Sequence, residues 1–121
     1  MKKENLFYLI LLLTILITRI SVIIVPEVDI KILNVIIHHF WFGVVLSLTG
    51  LLISKERANL KILLFGIGAG LIIDQLIFMI LGAGLDVQYW ALPSLLGAIV
   101  ISLVVYPVRI KLTNFLLKCG N

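Results

Sequence analysis

Apolar residues fall in four long runs, at 6–25, 35–53, 62–81 and 90–106, not at the i, i+3, i+4 spacing of a helix that keeps one face in water. A hydrocarbon core about 30 Å thick takes about 20 residues of helix at 1.5 Å each. Each run is therefore of spanning length, the fourth being the shortest. The breaks carry turn or charge chemistry: Pro26-Glu27-Val28-Asp29, Ser54-Lys55-Glu56-Arg57, Gly82-Ala83-Gly84 with Asp86, and Pro107. In lipid, backbone groups must be paired within the segment. The pattern predicts an all-α fold, a polytopic transmembrane bundle of four helices in a single domain over residues 1–121.

Composition makes the lipid setting firm. Of 121 residues 62% are hydrophobic and 13% charged, with a mean hydropathy of +1.24, against roughly 45–50% and 25% in soluble domains. So few charges leave most of a soluble surface uncovered. A disordered chain, a disulfide-framed module and a nucleic-acid binder are excluded together. Cys119, the single cysteine, has no internal partner.

The basic residues give an orientation. Lys2, Lys3, Lys55, Arg57, Lys61, Arg109, Lys111 and Lys118 all fall on one side of the four runs, whereas the other side holds Lys31 with Glu27, Asp29 and Asp86. The positive-inside rule then predicts a multi-pass protein of the cell membrane with both termini cytoplasmic. This also accounts for the net charge of +4 without nucleic acid. Lys2-Lys3 ahead of an apolar stretch resembles a signal peptide, but the run is too long and lacks a small-x-small cleavage site before Pro26. It reads as an uncleaved first helix. In the tail, Val108, Leu112, Phe115 and Leu116 share one helical side, among Arg109, Lys111, Asn114 and Lys118. A short basic interfacial helix over 108–119 or a frayed tail would both fit.

Ionisable groups inside the runs cost about 2.5–3.5 kcal/mol each at mid-membrane, so Arg19, His38, His39 and Asp74 each need a reason. By helical rise, these four and Ser94 all lie roughly 5–11 Å below the outer boundary. Four helices thus place polar groups in one layer. Gly66, Gly70 and Asp74 follow at four-residue spacing, the small-xxx-small pattern of close helix approach, which turns Asp74 into the bundle. His39, Gly43, Ser47, Gly50 and Ser54 form a second stripe of small and polar residues, with His38 rotated about 100° from it. Ser94, Gly97 and Ala98 continue the pattern on the fourth helix.

Plain readings stand beside a functional one. Arg19 is either a snorkelling anchor or a buried partner of Asp74. A lone histidine is an interhelical hydrogen-bonding group. Trp41, Tyr89 and Trp90 read as interfacial aromatics, while Thr14, Thr18 and Ser47 read as hydroxyls that satisfy helix backbone. As a site, the layer suits a phosphate-containing lipid headgroup: Arg19 as phosphate clamp, His38 or His39 as base or nucleophile, Asp74 as its orienting carboxylate, and Gln75, Ser94 and Trp90 as binding groups. Gln75 lies about 100° from Asp74 and joins only where the helix opens. No cofactor or metal is expected, because adjacent histidines on a regular helix diverge. The partners expected are membrane lipids, and a second copy of the chain where four short helices enclose too little volume. The competing class is a non-catalytic module, homo-oligomeric, metal-binding or ion-conducting, whose polar layer specifies packing. An ion path through one subunit meets no ionisable group in the inner half of the helices.

Ile37-His38-His39 with Gly43, the run Gly70-Leu71-Ile72-Ile73-Asp74-Gln75, and Tyr89-Trp90 with Ser94 resemble a group of small prokaryotic four-helix integral membrane proteins. That resemblance covers positions 30–100 and implies the fold but no activity. Asp74-Gln75 stands where many of the group carry Asp-Glu, one carboxylate fewer. More distantly, Ile30-Lys31, the histidine pair, Asp74-Gln75 and Ser94-Leu95-Leu96-Gly97-Ala98 are similar to the layout of VanZ-like membrane proteins. This implies action on lipid headgroups. Here Asp29 is displaced by one from the usual Asp-Lys pair, and the acidic residue is Asp rather than Glu.

Overall fold

The computed structural model describes residues 1–25, 30–32, 35–37, 39–80 and 92–120. The fold is all-α, with four helices among these residues: α1 Lys3–Ile24, α2 His39–Leu52, α3 Ala58–Ile80 and α4 Leu92–Lys118. A 3-10 turn, Lys55–Arg57, leads into α3, and Ser54 Oγ accepts from the Glu56 amide there. Between α1 and α2, strands β1 Ile30–Ile32 and β2 Val35–Ile37 form a short antiparallel ribbon pairing Ile30 with Ile37.

Two boundaries differ from those expected. The second helix begins at His39 rather than at 35, because Val35, Ile36 and Ile37, all β-branched, are taken up by the ribbon. Apolar character alone does not separate strand from helix over so short a stretch. The tail does not form a separate interfacial helix over 108–119; α4 runs through Pro107 to Lys118. Leu116 is fully buried in the core with Phe7, Leu11 and Ile62, Leu112 packs against that core, and Val108 and Phe115 are exposed. Pro107 removes one helix hydrogen bond, and neighbouring turns gain side-chain partners: Tyr8 Oη donates to the Ser102 carbonyl at 3.1 Å, and Arg109 Nη1 to that of Tyr106 at 2.6 Å.

Three segments, Lys3–Ile24, Lys55–Ile77 and Leu92–Lys118, are long and apolar enough to cross a membrane. At 14 residues, α2 is about 21 Å long and falls short of the 30 Å core. Burial is inverted relative to a soluble protein. Leu13, Leu16, Ile17 and Ile23 of α1, Val45 and Leu48 of α2, and Val100, Leu103 and Val104 of α4 are exposed, whereas Arg19, Lys61, Asp74, Gln75, Ser94, Ser102 and Thr113 are buried. Apolar surface outside and polar groups inside suit lipid as the solvent.

Helix α3 packs against each of the other three helices. A Cβ on Gly70 would lie 2.7 Å from Thr14 Cβ and 2.9 Å from the Leu11 carbonyl, so this position sets the α1–α3 approach. On another face, a Cβ on Gly68 would lie 2.6 Å from both the Gly43 carbonyl and the Ser47 amide, backbone that cannot swing aside. Of the two small-residue stripes read from the sequence, Gly66 and Gly70 thus lie on the α1 contact face of α3, and Gly43, Ser47 and Gly50 on the face that α2 turns to α3. The α4 contact lies higher, where Ile77 fills the space left by Gly97.

Candidate functional site in the polar layer

Asp74 comes one turn after Gly70 on the α1 face of α3, and its side chain is fully buried. Counting from the helix starts, Arg19 lies sixteen residues beyond Lys3 and Asp74 sixteen beyond Ala58. Both are therefore about 24 Å along their helices. They meet: Arg19 Nε donates to Asp74 Oδ1 at 2.5 Å, and Nη2 donates to the Asp74 carbonyl and to Ser94 Oγ, each at 3.3 Å. Arg19 is 4% exposed. Of its two sequence readings, the buried partner of Asp74 holds and the snorkelling anchor does not.

This cluster joins α1, α3 and α4 through side chains from each. Ser94, fully buried, stands in the first turn of α4 just after Pro93. Burying two charges is costly unless they are paired and hydrogen-bonded, and here the guanidinium has a carboxylate, a carbonyl and a hydroxyl as acceptors.

Gln75 follows Asp74 but belongs to a different face. It lies seven residues beyond Gly68 and three beyond Ile72, the positions that α3 presses against Gly43 and Ser47. His39 stands four residues before Gly43 on the facing helix, half-buried at the start of α2. The antiparallel register puts Gln75 and His39 at the same end of the α2–α3 interface, beside the Arg19–Asp74 pair. Gln75 is 4% exposed, and its Oε1 is buried with no hydrogen-bond partner.

His38 and Trp90 lie outside the described residues. Among those described, no three of His, Cys, Asp and Glu come together as metal ligands. Thr14 and Thr18 donate to the carbonyls of Ile10 and Thr14, as expected for hydroxyls inside spans. Ser47 does not: its Oγ is buried at the Gly68 contact without a partner. Close backbone approach, which the stripe itself signals, takes precedence there. An apolar groove of about 260 Å³ runs between α1 and α4, walled by Leu12, Leu16 and Ile20 on one side and Leu95 and Ile99 on the other, with Arg19 at its lining.

Three buried polar residues escaped the sequence reading: Ser102, Thr113 and Lys61. Lys61, assigned to the basic boundary, is fully buried, and its Nζ donates to the carbonyls of Cys119, Ile53 and Leu51 at 2.6, 2.8 and 3.3 Å. An ammonium thus closes the C-terminal ends of α2 and α4 together, where helix dipoles favour a cation. Its seven-residue spacing from Gly68 was the available signal, since it places Lys61 on the α2 face of α3.

Compared with known proteins, the chain matches no family model, no curated protein and no solved structure.

Proposed function

We propose that this chain is a small integral membrane protein that binds a lipid headgroup at the layer formed by Arg19, Asp74, Ser94, Gln75 and His39. In this reading it lies in the cell membrane with both termini cytoplasmic, and the lipid's chain runs along the α1–α4 groove. The observation that carries the reading is Gln75. A buried amide oxygen with no partner costs a few kcal/mol in an apolar setting, and Gln75 Oε1 lies next in sequence to a charged cluster that is already satisfied. Packing alone accounts for the pair but leaves the orphaned acceptor without a purpose.

The groove adds support, since an apolar channel with a guanidinium in its wall suits an acyl chain below a polar head. The VanZ-like layout implies the same ligand class. A chemical step on the headgroup would draw on His39 or His38 as base. Asp74, engaged by Arg19, would position that guanidinium.

Native mass spectrometry of protein extracted gently from membranes tests the reading. Lipid adducts are expected on the wild-type chain. They should be lost from Arg19→Met/Asp74→Leu, which removes the charges while keeping apolar volume. Equal retention by the double variant would remove the layer as the binding site. A second reading, a packing layer that specifies a homo-oligomer, is favoured by the enclosure of Arg19 and Asp74. It expects defined multimers without lipid in the same spectrum.

A further inference from the structure

The formal charges of Arg19 and Asp74 cancel, and the guanidinium is engaged by Asp74 and Ser94. Among the described residues no surplus lysine or arginine stands in this layer to meet a ligand with net negative charge, and uncompensated charge in a low-dielectric site is costly. What the layer leaves unmet is an acceptor, Gln75 Oε1, on a side chain 4% exposed. An amide oxygen accepts and cannot donate, so its complement is an N–H or O–H. A headgroup of no net charge that carries an N–H meets both conditions.

Building on the lipid-headgroup reading, we propose that the polar layer selects zwitterionic lipids whose headgroup ammonium carries an N–H, and that Gln75 Oε1 accepts a hydrogen bond from it. Phosphatidylethanolamine has this chemistry. Phosphatidylcholine has the same phosphate and net charge, but its quaternary nitrogen has no N–H. The contrast between them isolates the donor. Gln75 acts here as a specificity residue, while Arg19 and Asp74 supply the neutral frame beside it.

The test uses the full chain in mixed micelles or nanodiscs holding equal amounts of the two lipids with matched acyl chains, read by native mass spectrometry. A hydrogen bond from a charged donor corresponds to about a tenfold preference, so the wild type should retain the ethanolamine lipid over the choline lipid by that factor. Gln75→Leu should retain both about equally. N-methylated ethanolamine lipids separate hydrogen bonding from size: one or two methyl groups leave an N–H, and the third removes it. The preference should therefore persist through the dimethyl lipid and vanish at the trimethyl.

A graded decline with each methyl, or equal retention of all four lipids by the wild type, overturns the proposal. So does a Gln75→Leu variant that keeps the preference. If neither protein retains any lipid, the headgroup reading itself fails, an outcome distinct from loss of selectivity. Gln75→Leu removes no hydrogen bond among the described residues, so in choline lipid it should melt no lower than the wild type. Should that variant not fold, the methylation series on the wild type decides alone.

Discussion

Arg19 and Asp74, 55 residues apart in sequence, share a hydrogen-bonded ion pair closed off from the surface, and it fastens α1 to α3. Breaking such a pair from one side strands a buried charge and costs about 3–5 kcal/mol, whereas replacing both members with apolar residues of similar volume is often neutral. Asp74→Leu alone should therefore lower the melting temperature sharply, and Arg19→Met/Asp74→Leu should recover most of the loss. A thermal-melt double-mutant cycle in one detergent measures this. Strict additivity of the two single losses would mean that the residues are not coupled.

Backbone contact at Gly68 makes a different demand. A Cβ there meets the Gly43 carbonyl and the Ser47 amide at 2.6 Å, and helix backbone cannot yield as a flexible side chain does. Gly68→Ala should force α2 and α3 apart and destabilise by about 1–3 kcal/mol, the usual range for overpacking. Gly66→Ala meets the Ile10 side chain instead, with Cγ2 at 2.8 Å, and should cost less. Melting temperatures of the two variants give the order; a milder effect at Gly68 would contradict the close α2–α3 approach.

These examples also show what the sequence could disclose. Helix class, the α1 face of α3 and the burial of Asp74 follow from spacing, because lipid permits little besides paired helical backbone, and small residues every fourth position mark close approach. The start of α2 did not follow, since Val35, Ile36 and Ile37 are equally apolar in a strand or a helix. The path of α4 did not follow either: Pro107 reads as a stop, yet packing of Leu112 and Leu116 against the core carries the helix onward. Gln75 was legible only as a neighbour of Asp74. Its placement on the α2 face depends on which stripe each helix uses.

Orientation has a direct reporter in the single cysteine. Cys119 follows directly on the end of α4, partly exposed, on the side to which the four apolar runs assign eight of the ten basic residues. A membrane-impermeant maleimide should label it in inside-out vesicles and leave it unlabelled in intact spheroplasts. The reverse pattern would invert the topology inferred from the lysines and arginines.

Lys61 gives the most demanding prediction, because its charge has no carboxylate in contact among the described residues and is held by carbonyls alone. The ammonium unites the ends of α2 and α4, and Gly120, at φ +85°, lets the chain turn beside it: a Cβ there would come 3.0 Å from Nζ. Lys61→Met preserves the stem but leaves the carbonyls of Leu51, Ile53 and Cys119 without this donor. Hydrogen bonds to charged groups contribute about 1.5–3 kcal/mol each. Water reaching that end of the bundle recovers part of that, so a net loss of about 2–3 kcal/mol is expected. The loss should be local as well as global: amide hydrogen exchange should rise over the last turn of α4 and the last turn of α2 while the amides around Asp74 stay protected. Arginine keeps the charge but not the compact, three-donor geometry of the ammonium, so Lys61→Arg should restore stability only in part. Unchanged exchange at both helix ends in Lys61→Met would show that the helices meet without the lysine, and that its burial is a consequence of their packing and not its cause.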